Sequence, residues 1–397
     1  MVGLDAAAWL VTLPFSLLFG TFLTEACLGL KSPTGKVSAA QQDQTRAVIL
    51  MPAHNEEKGI ARTIAALAPV LTGQQRLLVV ADNCSDDTAK IARAAGAQVI
   101  ERFDAVARGK GHALAFGRDH LLSDPPDVVI ILDADCEIDP ASSAILIAEV
   151  ERQSAPIQAN YRMRPERAAR PMVQISNFAF LVKNSVRQRG MARLGAPALL
   201  NGTGMAFPWS IFATAPLASG NIVEDLALGV DMTLGGHPPR FCDMASVWSS
   251  AAGQRDTLGQ RTRWEHGFVA TARSHGLPLL GRAIVHGDPG LAWLGLHLLV
   301  PPLALLFILG TGALAIACTL AWFGATGLSA AVLGVLMTAS ACAVLAAWAR
   351  FGRETLAAGT LLRLPLYILW KIPIYLRLIR RPETEWIRTS RPDADGR

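Results

Sequence analysis

The stretch Val128-Val129-Ile130-Ile131-Leu132 ends abruptly in Asp133-Ala134-Asp135. An unbroken apolar run of this length describes a strand buried on both faces, as in parallel sheets. Open α/β sheets bind their ligands at the carboxyl ends of such strands. Two carboxylates placed there, two residues apart, can share one hard divalent cation. Mg²⁺ takes few protein carboxylates and leaves its other positions to phosphate oxygens. The tripeptide therefore points to a metal-bound diphosphate, and so to a nucleotide substrate. Alone, it serves equally well as an acidic turn that caps a strand.

The flanking sequence decides between the two. Strand patterns at Ala47–Met51, Leu77–Ala81 and Val99–Ile100 alternate with helical patterns at Lys58–Leu71, Ser85–Ala95 and His112–Leu122. This βα succession predicts a doubly wound, mostly parallel sheet. Polar residues follow each strand: Pro52-Ala53-His54-Asn55-Glu56-Glu57, then Asp82-Asn83-Cys84-Ser85-Asp86-Asp87-Thr88, then Arg108-Gly109-Lys110-Gly111-His112. Glycines admit a close backbone approach, and Lys110 suits a phosphate. Four polar strand ends on one edge make a binding site.

Around this core the chain is unusually apolar. Its 397 residues are 51% hydrophobic and only 17% charged, with a mean hydropathy of +0.32. That composition exceeds what an ordinary soluble protein of this size carries. The net charge of +5 collects at the ends of apolar segments, which suits an anionic membrane face and not nucleic acid. The six cysteines show no metal-ligand spacing, so the globular part is expected in a reducing cytosol.

Ala6–Thr24 carries no charge and is long enough, at about 20 residues, to span a bilayer. No Lys or Arg precedes it, whereas Lys31 and Lys36 follow. An uncleaved anchor with its N-terminus outside is expected. Leu291 to Trp348 lacks Asp, Glu, Lys and Arg, enough for two more spans, the first kinked at Pro301-Pro302. Thr360–Ile379 is apolar but interrupted by Arg363, Lys371 and Arg377, and reads as a helix in the membrane interface. The expected organisation is an anchor at 1–30, an α/β domain at 45–275, an interfacial segment with two spans at 276–350, and an amphipathic helix with a basic tail at 351–397.

With Asn201-Gly202-Thr203-Gly204, Glu224-Asp225 and Gln260-Arg261-Thr262-Arg263-Trp264 added to the motifs above, the chain resembles the family 2 glycosyltransferases. The likeness is to the membrane-integrated branch that includes cellulose synthase, hyaluronan synthase and related exopolysaccharide enzymes. It runs in the family's order over about residues 46 to 267. The resemblance implies a GT-A type, Rossmann-like domain in the cytosol, transmembrane helices at both ends, and Mg²⁺ or Mn²⁺ as cofactor. It implies that Asp82, with Pro52, His54 and Glu56 beside it, holds the nucleoside, and that Lys110 lies near the nucleotide. Asp135 would bind the metal and Asp133 the ribose or the metal shell, with Glu137 a further ligand in some members. Asp225 would be the general base and Glu224 would orient its loop. Gln260, Arg263 and Trp264, with Gly202 and Thr203, would meet the acceptor sugar and the pyrophosphate.

These residue types fit the chemistry. A nucleoside diphosphate leaving group calls for a cation, and an alcohol acceptor calls for a carboxylate base. One base without a second acid or nucleophile matches a single inverting displacement. Inversion itself comes from the resemblance. The leading expectation is transfer from a nucleotide sugar, most simply a UDP-sugar, to a lipid-linked or growing glycan at the cytoplasmic face of a bacterial inner membrane. Three spans are too few for a polymer pore, so an export partner is expected. Two other readings stay open: transfer of one sugar to a membrane lipid of polyprenyl phosphate or ceramide type, and an inactive nucleotide-sensing membrane module or transporter.

Overall fold

A computed structural model describes residues 2–32, 45–71, 73–166, 168–218, 224–250 and 254–380, side chains at 254–263, 373–374 and 376–380 aside. The chain forms two compact units. One contains Pro33–Arg164 and Pro197–Asp256; the other contains Met1–Ser32, Pro165–Ala196 and Thr257–Thr384. Segment 165–196 falls within the range expected for the α/β domain, yet it packs in the helical unit.

The α/β unit is built on eight described strands: β1 (Ala47–Ala53), β2 (Gln75–Asp82), β3 (Gln98–Arg102), β4 (Val128–Ile131), β5 (Cys136–Ile138), β6 (Ile157–Met163), β7 (Met205–Pro208) and β8 (Arg240–Ser249). Their order is β3-β2-β1-β4-β7-β6-β8-β5. The first four are parallel, as the sequence predicts. Beyond β4 the sheet is mixed. β7 runs antiparallel to both β4 and β6, and β5 is antiparallel to β8. A bulge between Ala159 and Asn160 of β6 lets the sheet curl. Val48, Leu50, Leu78, Val80, Val129 and Ile131 share one buried cluster with Phe207 and Phe212. Helix Lys110–Leu121 lies close on this face because Gly117 has no side chain. A Cβ there would stand 2.6 Å from Leu50 Cδ1.

The register of the β4–β7 pair fixes the site. Ile131 faces Met205, so two residues further on Asp133 comes opposite Thr203. The Asp133 N–H donates to Thr203 Oγ1 at 3.1 Å. Their separation of 70 positions along the chain does not keep them apart.

Among the described residues of the helical unit, three helices are long and apolar enough to cross a membrane: Val2–Gly29, Leu303–Trp322 and Leu328–Gly352. Pro301 and Pro302 do not kink a span. They separate helix Pro289–Leu299 from Leu303–Trp322, with Val300 extended at φ −72, ψ 108, the conformation that a following proline enforces. Segment 360–379 forms most of helix Leu364–Arg380. Between Pro171–Leu181 and Gln188–Arg193 the chain takes a π-helical turn over Val182–Arg187.

This turn and the helix after it pack on the N-terminal helix at Gly29 and Gly190. A Cβ on Gly190 would lie 2.1 Å from Glu25 O, and one on Gly29 would lie 1.9 Å from Val186 O. The close approach lets Glu25, fully buried, accept from Arg187 Nε at 2.6 Å and Trp293 Nε1 at 3.0 Å, with His297 Nδ1 2.8 Å away. Gly190→Ala should force these helices apart and cost about 1–3 kcal/mol, seen as a lower unfolding temperature of the detergent-solubilised protein, whereas Gly312→Ala, at an open position, should not.

Candidate functional site

Parallel pairing of β2 with β3 sets Asp82 beside Arg102. Arg102 Nη1 donates to Asp82 Oδ1 at 2.7 Å, and both side chains are about 10% exposed. Its other amino group reaches Asp104 Oδ2 at 3.1 Å and Ala107 O at 2.6 Å. Asn83, at φ +50, donates to the same Asp82 oxygen at 3.1 Å. From the end of β1, His54 Nδ1 lies 2.7 Å from the Asp82 carbonyl. A carbonyl only accepts, so Nδ1 carries the hydrogen. The Glu56 N–H donates to Thr88 Oγ1 at 2.6 Å, and Pro52 pairs across to Val80. The loop after β1 is thereby strapped to the loop after β2, and Asp82 becomes a rigid, shielded acceptor suited to a ribose hydroxyl or a base N–H. Arg102 is a member of this cluster that the sequence reading lacked. Its signal was the β2–β3 register, which a five-residue strand does not announce.

The second cluster gathers at the end of β4. Lys110 Nζ bonds Asp133 Oδ1 and also donates to the Gly202 carbonyl at 2.8 Å. Burial works against its charge, but Asp133 outweighs this and holds the ammonium above its ordinary range. Asp133, Asp135 and Cys136 place potential ligand atoms within 4.8 Å of one another. Asp135 is exposed as a residue, but neighbouring atoms strip water from its carboxyl; this desolvation, then the charge of Asp133, pushes it up to about 6. Burial pushes the Cys136 thiol well up, so it stays neutral and unsuited to a hard cation. The two carboxylates that remain fit Mg²⁺ or Mn²⁺, which take oxygen ligands and would relieve their mutual repulsion. Glu137 instead pairs with Arg164. Thr203 is fully buried and its hydroxyl serves the Asp133 N–H, so it positions Asp133 and does not face a ligand.

Glu224 and Asp225 open helix Glu224–Leu234, where the helix dipole favours carboxylates. Asp225 Oδ1 accepts from the Leu226 N–H at 2.8 Å. Burial, then the charge of Asp225, pushes the Glu224 carboxyl up to about 7. A small pocket is lined by Lys110, Gly202, Glu224 and Asp225. Gly202 has φ +82, and a Cβ on it would lie 3.1 Å from Asp225 Oδ2 and 3.3 Å from Lys110 Nζ. Glycine here meets both a backbone and a space requirement. Trp264 lies on helix Gln254–His286 of the helical unit, its ring 5.7 Å from that of Phe180. The side chains of Gln260 and Arg263 lie outside the described residues.

Comparison with known proteins places this geometry. A family model described as glycosyl transferase family 2 matches residues 48–203. One described as glycosyl transferase family group 2 matches residues 128–351, more than half of the chain. Glucosyl-3-phosphoglycerate synthase of Mycobacterium tuberculosis is 37% identical over 107 residues, covering 25% of this chain and 32% of that protein. An uncharacterized glycosyltransferase of the same organism is 32% identical over 104 residues, 26% of this chain and 43% of that protein. The match thus spans less than half of either relative. A solved mannosyltransferase from Pyrobaculum calidifontis, in complex with GDP-Man and Mn²⁺, covers 96% of this chain and 100% of its own, with a TM-score of 0.57 and 17% identity. At that identity the likeness is one of fold.

Arg102→Ala would leave the Asp82 carboxylate shielded without its guanidinium. Titration of the purified protein with a nucleoside diphosphate should show binding weakened about tenfold or more, given that a charge-assisted hydrogen bond contributes about 1.5–3 kcal/mol, while Arg93→Ala, at an exposed pair on the same unit, should leave it unchanged.

Proposed function

The chain belongs to glycosyl transferase family group 2, and from that premise we propose a membrane-bound inverting glycosyltransferase that moves a sugar from a nucleoside diphosphate donor, most simply a UDP-sugar, to a hydroxyl of a lipid-linked or growing glycan. One observation carries the proposal. Lys110 touches Asp133 and the Gly202 carbonyl, and Gly202 in turn backs onto Asp225. The carboxylates suited to a donor's metal and the carboxylate suited to an acceptor's proton therefore share one lysine.

Asp82, fixed by Arg102 and flanked by Pro52, His54 and Glu56, holds the nucleoside. Asp133 and Asp135 hold a divalent cation, which when bound neutralises charge on the diphosphate leaving group. Lys110 supplies positive charge beside it. Asp225 accepts the proton of the acceptor hydroxyl as the new glycosidic bond forms. The elevated pKa of Glu224 keeps it neutral below about 7, so that Asp225 carries the base function without a second negative charge facing the donor. No second carboxylate acts as nucleophile in this scheme, which supports inversion. Gln260, Arg263 and Trp264 are assigned to the acceptor and the pyrophosphate by their motif. The three membrane-length helices, with Lys31 and Lys36 following the first, support residence in a bacterial inner membrane with the α/β unit in the cytoplasm. The three membrane-length helices among the described residues are few for a polymer pore, which supports a step of exopolysaccharide or cell-surface glycan assembly with export left to a partner.

Asp225→Asn should lower kcat at least about a hundredfold, the usual scale of a general base, and leave donor affinity nearly unchanged; full activity in this variant would remove the base. The pH dependence of donor KM tests Glu224. Above about 7 its carboxyl ionises and repels an anionic donor, so KM should rise with pH through that point in the native enzyme and stay flat in Glu224→Gln.

A further inference from the structure

A cation in an interfacial helix ordinarily extends along its apolar stem to the membrane surface. Lys371 of helix Leu364–Arg380 does not. It is 5% exposed, whereas Arg363, just ahead of the helix, is exposed. The Lys371 ammonium bonds Glu265 of helix Gln254–His286. Tyr367 and Tyr375 lie four residues to either side of it, on the same stripe of the helix, and their ring centres stand 5.4 and 6.0 Å from the ammonium. The pair is deeply placed, with side chains only 6% and 19% exposed. Desolvation cancels most of the attraction in such a pair, so it contributes little net stability. Its effect is geometric, since it ties one helix to another at a single point.

That point lies beside a residue of the predicted site. Glu265 directly follows Trp264. Successive helical residues point about 100° apart, so a pinned Glu265 sets the rotation of its helix and with it the direction of Trp264. Trp264 and Phe268, four residues apart, share the neighbouring face. Together with Phe180, Glu265, Tyr367 and Lys371 they line a cavity of about 110 Å³ within the helical unit, where the Phe180 ring lies 5.7 Å from that of Trp264. We infer that Lys371 is a positioning residue: through Glu265 it aims Trp264 at this cavity, so that helix Leu364–Arg380 sets how the acceptor is met without touching it. The inference rests on the proposed function only in assigning Trp264 to the acceptor.

The test uses full-length protein labelled with 5-fluorotryptophan in phosphatidylcholine nanodiscs. Fluorine NMR resolves the Trp resonances, and Trp264→Phe, Trp209→Phe and Trp322→Phe assign three of them. In Lys371→Met the Trp264 resonance should move by more than its own width. That variant leaves a buried carboxylate unpaired and also lowers the unfolding temperature. The deciding variant is therefore Glu265→Gln combined with Lys371→Met, which removes both charges. It should unfold close to the native temperature and still displace the Trp264 resonance, while Trp209 and Trp322, on other helices, stay in place. Lys371→Arg, which keeps the charge, should hold Trp264 at its native position. An unmoved Trp264 resonance in the double variant, equal displacement of all three resonances, or a displacement in Lys371→Arg as large as in the double variant would each overturn the assignment. Neither donor nor acceptor is present, so a misplaced Trp264 and a missing transferase activity are separate results.

Discussion

Asp133 stands against Thr203 because β7 runs antiparallel to β4 in one register. A slip of one residue would turn Asp133 to the opposite face of the sheet and carry Gly202 away from Lys110. The Gly202 carbonyl that Lys110 reaches, and the space beside Asp225 that Gly202 leaves open, both follow from that pairing. An insertion in a parallel βα scaffold of one short antiparallel strand therefore brings residues from three distant parts of the chain together.

The cluster so formed is electrostatically lopsided. Asp133, Asp135, Glu224 and Asp225 lie in the field of a single lysine, and desolvation together with mutual repulsion raises the Asp135 and Glu224 carboxyls to about 6 and about 7. Groups held in unfavourable protonation equilibria cluster at functional sites. Here the imbalance has a chemical sense. The site is short of positive charge at the place where a diphosphate and its cation would bring both signs at once.

Much of this was legible in the chain. The apolar runs of β1, β2 and β4 are long enough to announce buried parallel strands, and their polar ends mark the binding edge. The short strands were not. β5 spans three residues directly after the acidic motif, and β7 ends in Pro208 after three apolar residues, so neither shows a period. Arg102 escaped for a related reason, since its meaning depends on which Asp lies across from it. The π-helical turn at Val182–Arg187 keeps an ordinary amphipathic composition and gives no local signal of its widened backbone. Pro301-Pro302 was visible, but whether two prolines bend a helix or end it depends on the residue before them, and Val300 took the extended conformation.

The buried carboxylate of Glu25 has a consequence for biogenesis. Its partner Arg187 comes 162 residues later in the chain, and His297 comes 272 residues later. Ribosomal synthesis delivers the N-terminal helix first, at about 5–20 residues per second. The helix therefore emerges with an acidic group that has no guanidinium to meet for many seconds, and a carboxylate that ends fully buried is costly while unpaired. Arg187 follows β6 and His297 follows β8, so the first apolar helix reaches its final electrostatic state only after every strand of the α/β sheet has been translated, which ties its maturation to the completion of that sheet.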